Sequence, residues 1–144
     1  MLKNIKFKNS FTKQGYLLLQ NILDKKEKKI IKEIIYENFK KIIELPSMEK
    51  FDLENLNFHK KLINFRKLRP KKFGEIYDKI NLNSKFRSIF YSKKFIDYFA
   101  KCLNIKNNQI YISGIMMRFD APHDLRNKLN WHQDSPYYMM GYPK

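Results

Sequence analysis

The chain has 144 residues, with 30 Lys and Arg against 14 Asp and Glu, a formal net charge of +16, 43% hydrophobic residues and 15% aromatic ones. That length suits a single domain over 1–144, and an apolar content rich in Phe and Tyr excludes wholesale disorder. No apolar run approaches the roughly 18 residues that a membrane-spanning helix needs, so no membrane partner is expected.

The longest apolar run near the N-terminus, Tyr16 to Leu19, is too short for a signal-peptide core, so the location expected is cytoplasmic. The single Cys102 excludes an internal disulfide and a cysteine-built zinc site, and reads as a plain core or surface thiol. A charge of +16 is the footprint of a nucleic-acid or anionic-surface binder. Yet only Arg66, Arg69, Arg87, Arg118 and Arg126 are Arg, and Lys, Ile, Asn, Phe and Tyr together exceed half the chain. All five of those residue types can be encoded by codons made only of A and T, so coding bias is a sufficient source of the basicity. Arg would be richer where phosphate is gripped by two hydrogen bonds at once, and nucleic acid is therefore disfavoured.

In chain order, residues 15–19 (Gly-Tyr-Leu-Leu-Leu) read as a short, largely buried strand. Asp24 with Glu27 three residues on forms a capping box that opens a helix to about Leu45, where Pro46 marks the stop. Ile30, Ile31, Ile34, Ile35, Phe39, Ile42 and Ile43 share one stripe of that helix, with the lysines mainly off it. Residues 49–68 form a weaker helical stretch in which His59 reads as structural or exposed. Pro70 and Gly74 punctuate a short helix near 72–80. Ser84 and Ser92 read as N-caps of two more, the second with a buried stripe of Phe95, Ile96, Phe99 and Leu103. A turn follows over 104–108, and residues 109–119 form a long β-type run. The chain is thus expected to be mostly helical over 1–108 and extended after.

Two of the three histidines and three aspartates fall within residues 120–134. His132 and Asp134 are two apart, so on an extended segment both face one side and can reach one ion. With a second His they would form the 2-His-1-carboxylate facial triad of non-haem Fe(II) oxygenases, which leaves three positions open for a cosubstrate and dioxygen. His123, between Pro122 and Asp124, reads as a loop residue outside the ligand set.

Trp131-His132-Gln133-Asp134-Ser135-Pro136-Tyr137-Tyr138, after a run ending Met117-Arg118-Phe119-Asp120-Ala121-Pro122, resembles the phytanoyl-CoA dioxygenase family, a branch of the Fe(II)/2-oxoglutarate dioxygenases. The opening Gly-Tyr segment followed by a long helix is similar to that family as well. The resemblance implies an α+β fold: N-terminal helices followed by the first strands of an incomplete double-stranded β-helix, or jelly roll, beginning at about residue 109. It implies His132 and Asp134 as iron ligands, Fe(II), 2-oxoglutarate and dioxygen as cofactor and cosubstrates, and hydroxylation of a small organic substrate. With Asp134 present, hydroxylation is implied over halogenation, which needs that carboxylate absent.

The run Ile112 to Arg118 would line the 2-oxoglutarate pocket, with Met116 or Met117 in contact, or these methionines would simply fill core. Arg118 would pair with the cosubstrate or with Asp120. Trp131, Tyr137 and Tyr138 would wall the substrate cavity or serve as core. The family's distal His and 2-oxoglutarate-binding basic residue should lie well downstream, whereas Lys144 is ten residues after Asp134. The expectation is an N-terminal part of a longer protein or a truncated product, inactive alone, whose exposed sheet edge over Ile110 to Phe119 could drive self-association. The competing reading from another class is a basic, non-catalytic binding module for nucleic acid or an anionic surface.

Overall fold

The computed structural model describes residues 18–119 together with residues 13 and 16. Five α-helices account for most of it: α1 Lys25–Phe39, α2 Leu56–Leu68, α3 Pro70–Asn81, α4 Ser84–Phe90 and α5 Lys93–Leu103, followed by a single 3-10 turn, Asn107–Gln109.

Each helix starts for a local reason. At α1 the Asp24 carboxylate accepts from Glu27 N at 2.8 Å and the Glu27 carboxylate accepts from Asp24 N at 2.7 Å, so two otherwise orphaned donors are satisfied reciprocally. Asn55 caps α2 through Asn57 N, and Asn83 caps α4 through Phe86 N. Pro70 opens α3 at its first position, where a missing N–H costs nothing and the ring pre-sets φ. Ser92 takes the N-cap position of α5 without a side-chain capping bond. α5 ends at Asn104 in the left-handed region (φ 57°), with Ile105 N donating back to Ala100 O at 3.0 Å.

Apolar residues at helical spacing then meet in one core: Ile34, Ile35 and Phe39 from α1, Phe58, Leu62 and Phe65 from α2, Phe73, Ile76 and Ile80 from α3, and Phe86 from α4. α3 packs against α1, α2 and α4, and α1 packs against α4 as well. The connector between α1 and α2 adds Phe51, whose ring lies 5.1 Å from Phe58 and 5.3 Å from Tyr36. α5 is joined to α4 by Phe90 against Phe95 at 5.1 Å, and to α1 by an ion pair between Lys94 and Glu27. No helix among the described residues is long and apolar enough to cross a membrane.

Several expectations are corrected. No strand and no sheet occur among the described residues, so the α+β reading with opening jelly-roll strands gives way to an all-helical body carrying an extended tail. The run from Ile110 to Phe119 carries no regular secondary structure, and the partners of Ile115, Met117 and Phe119 within it are helices. A period-two apolar pattern selects an extended backbone with one buried face, and a helical surface can serve as the partner of that face. Among the described residues no strand lies beside this run, so the sheet edge expected over Ile110 to Phe119 is not formed there.

Tyr16 and Leu18 are 64% and 78% exposed, which removes the buried opening strand at those positions. Regular helix α1 stops at Phe39, and residues 40–44 continue as turns closed by Leu45 N donating to Lys40 O at 3.3 Å, with Glu44 in the left-handed region (φ 49°). Asn83 rather than Ser84 is the cap of α4. In α5, Phe95 is buried and Ile96 half-buried, while Phe99 and Leu103 are exposed.

Acid should weaken this fold by a predictable route. Backbone N–H groups, chiefly that of Glu27, hold the Asp24 carboxyl below its ordinary range. Glu49 is lowered by its own backbone N–H and by Ser47, and Asp97 by Lys93 and Asn107. A carboxyl with a lowered folded-state pKa binds fewer protons folded than unfolded, so its contribution is fully present above the unfolded value and is lost as pH falls through the folded one. The urea midpoint should therefore be flat from about pH 7 to 5 and fall below about pH 4. A midpoint unchanged down to about pH 3 would contradict these three assignments.

Candidate functional site

The described residues bring together a clasp around the extended segment rather than a metal centre. Along residues 115–119 the side chains alternate: Ile115, Met117 and Phe119 pack against the helical core, while Met116, 67% exposed, and Arg118 face outward. Ser113 and Gly114 are both exposed and interrupt the alternation before this point.

Two side chains grip the backbone of the segment. Asn81, the last residue of α3, accepts from Met117 N through Oδ1 at 2.6 Å and donates through Nδ2 to Met117 O at 3.3 Å. The same Nδ2 also donates to Tyr77 O at 3.0 Å. A neighbouring antiparallel strand would offer one residue this same pair of bonds, so a helix side chain stands where a strand would. From α2, Arg66 donates to Phe119 O at 2.8 Å, with its guanidinium held 5.1 Å over the Phe73 ring. The Phe119 ring completes the grip, edge-on to Phe39 at 5.8 Å, Phe73 at 6.1 Å and Tyr77 at 6.3 Å.

Of the residues expected at a site, Met117 and Arg118 are thus adjacent but on opposite faces: Met117 turns its side chain to the core, and Met116 is the exposed methionine. His132 and Asp134 lie outside the described residues, as do Asp120, His123, Trp131, Tyr137 and Tyr138. His59 is exposed on α2 with its ring 5.3 Å from that of Phe58, and no group of three or more His, Cys, Asp or Glu able to hold a metal occurs among the described residues. Cys102 is half-buried, and burial pushes its thiol pKa up, which keeps it protonated at neutral pH.

A cavity of about 490 Å³ opens between the α1–α2 connector and the first turns of α2, lined among others by Phe51, Phe58, Lys50, Lys60 and Lys61. Neither Met117 nor Arg118 lines it.

Asn81 and Arg66 are the residues that sequence reasoning missed. An Asn closing a helix reads locally as a C-terminal signal, and its actual partner is 36 positions away. The β-type alternation of residues 115–119 did carry half of the information, since it marks which side chains must find a surface. In comparisons with protein-family models, curated proteins and solved structures, nothing matches this chain.

Proposed function

We propose that the chain carries part of the site of a non-haem Fe(II)/2-oxoglutarate-dependent dioxygenase that hydroxylates a small organic substrate. The observation that carries this reading is the pairing of His132 with Asp134 inside a stretch resembling the phytanoyl-CoA dioxygenase family. An extended segment with a fixed inner face leads toward it, and Arg118 stands on that segment's outer face. The donor set fits in kind, since an imidazole nitrogen and a carboxylate oxygen are two of the three protein ligands of a facial triad. When bound, the iron supplies the redox chemistry that couples decarboxylation of 2-oxoglutarate to hydroxylation.

The protein's own groups hold and orient. His132 and Asp134 are the ligands, Arg118 is a cation for one cosubstrate carboxylate, and Trp131, Tyr137 and Tyr138 wall water away from the substrate. A cytoplasmic location accords with a reduced metal and a single unpaired cysteine. The basic-module reading gains little, because exposed lysines occur on all five helices and alternate with Glu33 and Glu37 on α1.

Anaerobic titration with Fe(II), or with Co(II) as a coloured substitute, tests the assignment. His132→Ala and Asp134→Ala should each weaken binding by at least about tenfold, while His59→Ala and His123→Ala leave it unchanged. Wild-type affinity in His132→Ala would remove the metal from this proposal.

A further inference from the structure

The make-up of the cavity beside α2 follows from the helix period. Phe58, Leu62 and Phe65 turn the buried face of α2 to the core. Asn57, Lys60 and Lys61 stand at i, i+3 and i+4 on an adjoining face, and all three line the cavity. Lys50 lines it from a second element, the connector between α1 and α2. Leu45, Pro46, Phe51 and Phe58 supply its apolar lining. Phe51 and Phe58 are 1% and 5% exposed and pack edge-on at 5.1 Å, so that part of the wall is held in place by the core.

The lysines here differ from those of the helix surfaces. Lys40, Lys72 and Lys93 each pair with a carboxylate three or four residues away. Among the described residues, none of Lys50, Lys60 and Lys61 makes such a pair, although the carboxylates of Glu44 and Asp52 line the same space. Lys61 instead donates through Nζ to the Glu44 carbonyl oxygen at 2.8 Å, which ties α2 to the connector and fixes one ammonium at the cavity. That bond uses one of its three N–H donors and leaves two. Asp52 accepts from Glu54 N at 3.0 Å, so one of its carboxylate oxygens is already engaged.

Three ammonium groups against two carboxylates leave the lining with one net positive charge beside an apolar wall. Its complement is a single negative charge on a compact apolar body. A carboxylate carries that one charge at neutral pH, whereas a phosphate monoester carries about 1.5 to 2. At about 490 Å³ the space is of the size that small-molecule sites have.

We propose that this cavity binds a small organic monocarboxylate, with its carboxylate on Lys50, Lys60 and Lys61 and its aliphatic or aromatic body against Leu45, Pro46 and the Phe51–Phe58 wall. The site is independent of the dioxygenase reading, since neither Met117 nor Arg118 lines it.

Benzoate and isovalerate are the probes, each titrated into the 144-residue chain at neutral pH and followed by backbone amide shifts in NMR. At least one should bind with a dissociation constant of about 1 mM or below, moving amides of residues 50–52 and 57–61 and leaving those of α5 in place. Benzyl alcohol, which lacks the charge, and inorganic phosphate, which lacks the apolar body, should each bind at least about tenfold more weakly. Lys60→Met and Lys61→Met should each raise the constant about three- to tenfold. Lys79→Met makes the same charge change at an exposed position outside the lining and should leave the constant within about twofold. Lys60→Met stands for both should Lys61→Met, which also loses the bond to Glu44, fail to fold.

No saturable shift from either carboxylate up to about 10 mM overturns the proposal. So does binding of benzyl alcohol or inorganic phosphate as tight as that of the better carboxylate. Wild-type affinity in Lys60→Met, or equal weakening in Lys60→Met and Lys79→Met, overturns it as well, the latter by reducing the effect to the net charge of the chain.

Discussion

Replacing Phe39 with Ala should cost about 3–5 kcal/mol, a large part of the roughly 5–15 kcal/mol that holds a domain folded. Phe39 is fully buried, at 0% exposure, and its ring is the hub of the aromatic core, 6.4 Å from Phe65, 6.2 Å from Phe73 and 5.8 Å from Phe119. Those neighbours come from α2, α3 and the extended segment, so the cavity left by truncation would be bordered by three elements that cannot all collapse into it at once. Part of the loss is the removed apolar surface; the rest is the unfilled volume and the lost edge contacts. The urea midpoint should drop sharply, and amide protection over residues 115–119 should fall with it, because Phe119 loses its deepest contact. Leu82→Ala, at a position 68% exposed, is the control and should shift stability by no more than about 0.5 kcal/mol. A cost below about 1 kcal/mol for Phe39→Ala would mean that this core is not what holds the segment to the helices.

How far the sequence could be read follows from the range over which each signal acts. Asp24 and Glu27 are three residues apart, and the capping box they spell is the one that forms. The helical stripes of Ile34, Ile35 and Phe39, and of Phe95 with Ala100, are likewise decided within a few turns. Helix ends were harder. Ile42 and Ile43 continue the stripe of α1, yet the regular helix stops at Phe39, because the connector must turn to bring Phe51 back onto Tyr36 and Phe58. Pro70 reads as punctuation in a string of residues but serves as the first residue of α3.

The extended run was legible as extended and misread as sheet. Alternation at Ile115, Met117 and Phe119 reports one buried face, and nothing in it says whether strands or helices supply the burying surface or the backbone partners. That choice is made by Asn81 and Arg66, at sequence separations of 36 and 53, beyond any local pattern.

The 144-residue chain, given Fe(II), ascorbate and 2-oxoglutarate, should release no sustained succinate, even where His132 and Asp134 bind the metal. Under the proposed function, His132 and Asp134 are two of the three ligands of a facial triad, and a first-row ion held by one imidazole and one carboxylate alone competes poorly with its own hydration, a deficit of several kcal/mol. Of the other two histidines, His59 is exposed on α2 beside Phe58, on a helix fixed in the core through Phe58, Leu62 and Phe65, and His123 lies outside the described residues. Under the proposed function, Arg118 would neutralise one carboxylate of 2-oxoglutarate, and the second would need its own partner.

Weak metal binding without turnover is therefore the expected phenotype, and a second polypeptide that supplies a His and a cation is the route by which turnover could appear. Succinate followed over many equivalents of chain, with iron content measured in parallel, separates these cases. Stoichiometric iron with continuing succinate release from the chain alone would refute the prediction. Loss of that release in His132→Ala would then place the reaction at this site, and its persistence would place it elsewhere.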